Sequence, residues 1–228
     1  AAQGHIGRAR ALARNEEARN RRAWILSLPT ELRTLGDCLE AARRLDEDAD
    51  AEVGAATAEL DARERAKLER ALGLDTRGAR ARNAQAAIRD LESEQKARTK
   101  RMRRDALDRV LTELTTFYRD VLAVQTAAVS LDDEAALSGP RLVNAEFSRQ
   151  IHQMADSSSP AQTVHRIDAI LDTRKSLESN VAPLLAVETM LIAISGVDEK
   201  LRGRVARPSS AGPAHGWRAH PHRSAGPQ

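Results

Sequence analysis

Apolar residues recur along this chain at steps of three and four, and the period of two that marks a strand is absent. Steps of three and four return to one side of an α-helix, so the pattern predicts an all-α fold. The first segment, from Gly4 to about Ile25, reads as a glycine turn feeding an arginine-rich helix. A break is expected at Leu28–Pro29, because the residue before a proline avoids helical dihedrals. Thr30, with Glu31 behind it, is then placed to cap the next helix.

From Leu32 to Leu72 the pattern is helical but sparse, carried by Leu32, Leu35, Leu39, Leu45, Val53, Leu60, Leu68 and Leu72. These spacings drift, which argues against a strict coiled coil. The middle of the segment, Asp46 to Asp61, is acidic and alanine-rich with no basic residue, and is expected to be a solvated helix reaching away from the body. Gly73 to Ala81 reads as a hinge or loop. A second long helix is expected over 83–128, with a stripe of Ile88, Leu91, Met102, Leu107, Val110, Leu111, Leu114, Phe117, Val121 and Leu122. Within it, Glu92 to Arg104 loses the stripe and carries Lys96, Arg98, Lys100, Arg101, Arg103 and Arg104. The two long helices, 32–72 and 83–128, predict a long projecting helical hairpin.

Three shorter helices follow. One covers about 142–155, with Val143, Phe147, Ile151 and Met154 on one side. Ser159 and Pro160 form a cap and first-position pair for the next, which carries Val164, Ile167, Ile170, Leu171 and Leu177. Asn180 is expected to cap the last, with Leu184, Leu185, Val187, Met190, Leu191 and Ile194 inside it. Leu171 and Leu185 are expected to be buried on these apolar stripes. Residues 197–228 form a Pro/Gly/His-rich tail with too few aliphatic side chains to offset the entropy of ordering, and disorder is expected there.

Composition narrows the function more than it names it. Aromatic residues are 2% and charged residues 30%, with a net charge of only +3, which is no proof of a nucleic-acid partner. The single cysteine, Cys38, excludes an internal disulfide and reads as an inert small residue on a helix. No run approaches the ~18 apolar residues of a membrane span, and there is no signal peptide, so the expectation is a cytoplasmic protein. A chain that opens at Ala1 directly in a helical pattern implies sequence upstream. No P-loop, dinucleotide fingerprint or metal frame is present, so no cofactor and no catalytic residue is expected. His152 and His165 read as boundary side chains, Asp168 and Asp172 as surface charges, and His215, His220 and His222 lack a frame for a metal. The basic run 96–104 supplies phosphate-neutralising charge without aromatics for stacking. The reading preferred to nucleic acid is a solvated helix side, or the partner of the acidic segment Asp46 to Asp61.

Several stretches carry a resemblance. Glu94 to Asp108, continuing through Leu114 to Leu122, resembles the collar helix of delta-prime subunits of actinobacterial DNA polymerase III, members of the clamp-loader AAA+ family. Arg166 to Leu171 and Asn180 to Glu188 are similar to further collar segments, and Gly4 to Ala9 resembles the end of that family's small helical lid. The resemblance spans roughly residues 1–195. It implies the end of a lid over 1–28 and a helical collar, an oligomerisation domain, over 29–196, with an ATPase-fold domain upstream. Where ATPase relatives carry a phosphate-sensing arginine, this chain has Gly7, with Arg8 one residue on, as befits a subunit without ATP turnover. The implied partners are the other clamp-loader subunits, with DNA met indirectly or weakly and no membrane. The subunit contact is expected at Ile167, Ile170, Leu171, Leu184, Leu185 and Leu191. A different class of function stays open beside it: a free-standing helical adaptor holding nucleic acid on the basic run.

Overall fold

The computed structural model describes residues 6–73, 81–128, 141–179 and 181–197. Among them there is no strand, and the all-α expectation holds. The helices are α1 (Ile6–Arg14), α2 (Glu16–Glu31), α3 (Leu35–Ala71), α4 (Ala81–Gln125), α5 (Ser148–Ser157), α6 (Pro160–Glu178) and α7 (Pro183–Ser195), with a 3-10 turn at Ala145–Phe147.

Local chemistry explains where these helices begin and end. The expected single N-terminal helix is two, because Asn15 adopts an extended conformation and its side chain accepts from the Ala18 N–H at 3.2 Å. Glu16 and Glu17 then place acid on the first turn of α2, which favours the start of a helix. The expected break at Leu28–Pro29 does not occur. Pro29 lies inside the last turn of α2, where its missing N–H costs one bond to the preceding turn, and buried Ile25, Leu26 and Leu28 hold that turn on the core. The chain leaves the helix only at Leu32.

Nor does Thr30 cap the next helix; its hydroxyl donates back to the Ser27 carbonyl. The cap is Thr34. Its hydroxyl oxygen accepts from the Asp37 N–H, and the Asp37 carboxylate accepts from the Thr34 N–H, a reciprocal capping box. The Arg33 N–H, which also donates to this carboxylate, together with the Thr34 bonds holds the Asp37 carboxyl below its ordinary value. Ser159 and Pro160 begin α6 as expected, with Gln162 completing a second box. Ala182 stands at the N-cap of α7, whereas Asn180, the expected cap, lies outside the described residues. α7 ends at Gly196, whose φ of 67° is the left-handed conformation that glycine adopts without penalty.

The core is organised around the C-terminal half of α4, which packs against α2, α3, α5 and α6, while α7 packs against α3 and α6. Leu107, Leu111, Leu114, Phe117, Tyr118 and Val121 of α4 meet Ile151 of α5, Ile170 of α6 and Val187, Met190, Leu191 and Ile194 of α7. Phe117 and Tyr118 touch edge to face, with ring centres 5.5 Å apart. On α3 the buried positions are small: Cys38, Ala41, Ala42, Ala49, Val53 and Thr57, with Leu45 the one large side chain. Leu35, Leu39 and Leu60, three of the leucines that mark the sequence pattern, stay exposed. Alanines at the contact let the backbones approach closely, so bulk alone misidentifies this side of the helix. Val197, placed by the sequence pattern in the tail, is buried against the core.

The acidic middle of α3 is not a lone solvated helix. Arg103 of α4 bonds Asp46 at 2.6 Å and approaches Asp50 at 2.9 Å, Arg98 bonds Asp61 and Glu64, and Arg65 reaches Glu92. The order of these pairs makes α3 and α4 antiparallel. α3 has 37 residues and α4 has 45, so they run about 55 and 67 Å. Beyond Thr57 on α3 and between Ala84 and Ala106 on α4, no described side chain is fully buried, as in a hairpin that extends past the core.

Candidate functional site

A buried polar cluster joins α2 to α4 and to the segment before α5. The Arg22 guanidinium donates to Glu113 at 3.2 Å, to Asn144 at 2.5 Å and to Glu146. Asp120, wholly buried, accepts from the Val143 and Asn144 N–H groups and from the Asn144 side chain, which also donates to Thr116. Burial pushes the Glu146 carboxyl up, but its backbone hydrogen bond and Arg22 outweigh that and leave it below the ordinary value. Every carboxylate here is tied to a structural donor. It fixes α2 and the 3-10 turn on α4. The sequence gives little sign of it, because its members are far apart along the chain.

Cys38 is fully buried, its thiol 3.7 Å from the Leu191 carbonyl, and burial pushes it up from its ordinary value. That is the environment of a packed thiol rather than a nucleophile. Tyr118 is likewise driven up by burial, partly offset by Arg166 near its ring. The His152 Nδ1 pairs with the Ser148 carbonyl at 2.7 Å, His165 is exposed, and Asp172 pairs with Lys175. No group of three metal-ligating side chains occurs among the described residues, and no helix of these is long and apolar enough to cross a membrane. Gly7 lies exposed on α1, which also contains Arg8. The three tail histidines lie outside the described residues.

Two surfaces remain. The first is the outer side of the last two helices. Ile170 and Leu191, expected at the subunit contact, are fully buried in the chain's own core, and Ile167 and Leu184 pack partly against it. Leu171 and Leu185, expected to be buried, are instead 37% and 57% exposed, and Val164 and Val181 join them on the surface. Both helices thus use one side on the core and present aliphatic side chains on another. The three- and four-residue spacing identifies apolar positions but does not say which part of a broad stripe the core will cover.

The second is the basic run of α4, which the fold divides. Arg98 and Arg103 turn toward α3 and are consumed by its acids. Glu64 is held down at about 2 by the hydrogen bonds from Arg98 and Gln95, and Arg98 is raised in turn by Glu64 and then Asp61. Lys96, Lys100, Arg101 and Arg104 are exposed and line a groove whose far wall is Glu178, Val181 and Pro183, at the α6–α7 turn. None of these four side chains has an ion pair among the described residues.

No protein-family model matches the chain, and neither does any curated protein or solved structure.

Proposed function

We propose that this chain is a non-catalytic assembly module of the clamp-loader delta-prime type, acting in the cytoplasm in DNA replication by joining other loader subunits that place the sliding clamp on DNA. The observation that carries the reading is a convergence. Of the stretches that resemble the collar, Glu94 to Asp108 begins on the hairpin, while Leu114 to Leu122 of α4, Arg166 to Leu171 of α6 and Pro183 to Glu188, the part of Asn180 to Glu188 on α7, meet in one core. Val164 and Leu171 of α6, Leu185 of α7 and Val181 of the turn between them stay on the surface, where a neighbouring helical subunit has aliphatic area to cover. Permanent subunit interfaces are rich in such contact and commonly bury more than ~2,000 Å². A body whose buried ionisable groups are tied in structural bonds fits a scaffold without ATP turnover.

The test is co-purification with the remaining loader subunits. Wild-type chain is expected to enter the complex, and the double variant Leu171→Asp/Leu185→Asp to be lost from it while keeping its helical circular dichroism. Both positions are surface positions, so the double variant is expected to fold. A folded wild-type chain that fails to join the loader subunits overturns the proposal.

A further inference from the structure

The four exposed cations of the basic run are not equivalent, and a fifth belongs with them. At 3.6 residues per turn, Arg89, Lys96, Lys100 and Arg104 fall within about 80° of one another, a stripe that climbs about 22 Å along α4. All four side chains are exposed and none has an ion pair among the described residues. The turn between Arg89 and Lys96 is filled by Ser93, and Glu92 at its edge is held by Arg65 of α3. Arg101 lies off it, on a flank shared with the exposed acids Glu94 and Asp105.

The surroundings sharpen the contrast. Asp46, Asp50, Asp61 and Glu64 of α3 are held by Arg103 and Arg98, Glu92 by Arg65, and Asp108 by Arg174. Of the carboxylates on the groove beside the stripe, only Glu178 carries no ion pair. Lys96, Lys100 and Arg104 follow one another at i, i+4, where like charges repel. The acids one turn from the ends of this row, Glu92 before Lys96 and Asp108 after Arg104, are already held by Arg65 and Arg174.

We infer that this stripe is a docking surface for the sugar–phosphate backbone of a nucleic-acid duplex, bound without regard to sequence. A row of cations one or two turns apart matches a line of phosphates, and a duplex offers one charge per ~1.7 Å of its axis. Single-strand recognition needs aromatic platforms. The described aromatics stand elsewhere: Phe117 and Tyr118 in the core, Phe147 packed against it, and Trp24 beneath Arg44. Nor does the stripe carry an amide side chain or a fork of donors held in place for reading base edges. The inference is independent of the loader reading, since duplex binding and subunit assembly are measured separately.

The experiment is fluorescence anisotropy of the 228-residue chain with a labelled mixed-sequence DNA duplex across a salt series. Four phosphate contacts predict a log–log slope of about −3.6, or an affinity loss of roughly 150-fold between 50 and 200 mM salt. Each of the single variants Arg89→Gln, Lys96→Gln, Lys100→Gln and Arg104→Gln is expected to flatten the slope by about 0.9. The quadruple variant is expected to lose binding while its melting temperature stays at or above wild type, because it relieves repulsion and breaks no ion pair. Arg43→Gln/Arg63→Gln, which removes two exposed arginines already paired with glutamates on α3, is expected to leave the slope unchanged. Absence of duplex binding at 50 mM salt, or a wild-type slope in the quadruple variant, overturns the proposal.

Discussion

Leu191 and Leu185 lie on one 13-residue helix, yet truncating them should have very different consequences. Leu191 is fully buried where α7 meets α3, with the Cys38 thiol against its carbonyl. Leu191→Ala deletes three carbons, which at ~0.8 kcal/mol per buried CH2 is about 2.4 kcal/mol. The cavity left between α3 and α7 cannot collapse without moving both helices, which raises the expected loss to about 3–5 kcal/mol. Leu185 is 57% exposed, so less than half of its transfer energy is at stake and no closed cavity forms. Its truncation should cost about 1 kcal/mol. For a chain of this size the melting temperature should fall by about 6–20 °C for Leu191→Ala and about 2–4 °C for Leu185→Ala. Urea unfolding followed by circular dichroism at 222 nm reads the same difference. Equal losses would refute the assignment of Leu185 to the surface. If they grew equal only at high protein concentration, a second copy of the chain would be what covers that side.

Two further outcomes follow from the polar contacts. Arg22→Ala should lose about 3–5 kcal/mol in urea unfolding, because it withdraws the guanidinium that buried Glu113 and Asn144 and half-exposed Glu146 share. Arg22→Lys should recover little of it, since an ammonium cannot reproduce the planar fork; a loss below about 1 kcal/mol in either variant would contradict the cluster's role. The hairpin should weaken in acid: Glu64 sits at about 2 against an ordinary 4.5, so its contribution is full above about 4.5 and fades as pH falls toward 2. The melting-temperature gap between wild type and Glu64→Gln should therefore close across that window, and a gap that persists at pH 2 would show that Arg98 does not depend on the Glu64 charge.

Helical class, the two long helices and the Ser159–Pro160 start of α6 were all legible in the sequence, because apolar spacing and local capping chemistry act over a few neighbouring residues. The same local signals misplaced other boundaries. Pro29 sits within a turn that its buried neighbours hold in place, and Thr30 yields the cap to Thr34, which has Asp37 three residues on. The basic run was visible as composition, but which cations are spent and which stay free was not. That division depends on the acids of α3 lying against Arg98 and Arg103, a contact between residues 34 to 57 positions apart. The cluster around Arg22 draws on partners 91 to 124 positions away, beyond the reach of any periodicity. On α3, alanines rather than leucines make the contact, since close helix packing selects for small size where a hydropathy pattern registers bulk. The sequence by itself determined that the chain would be helical and where its charges fall. Only the tertiary structure decided which side of each helix is core, because burial depends on which other helices arrive there.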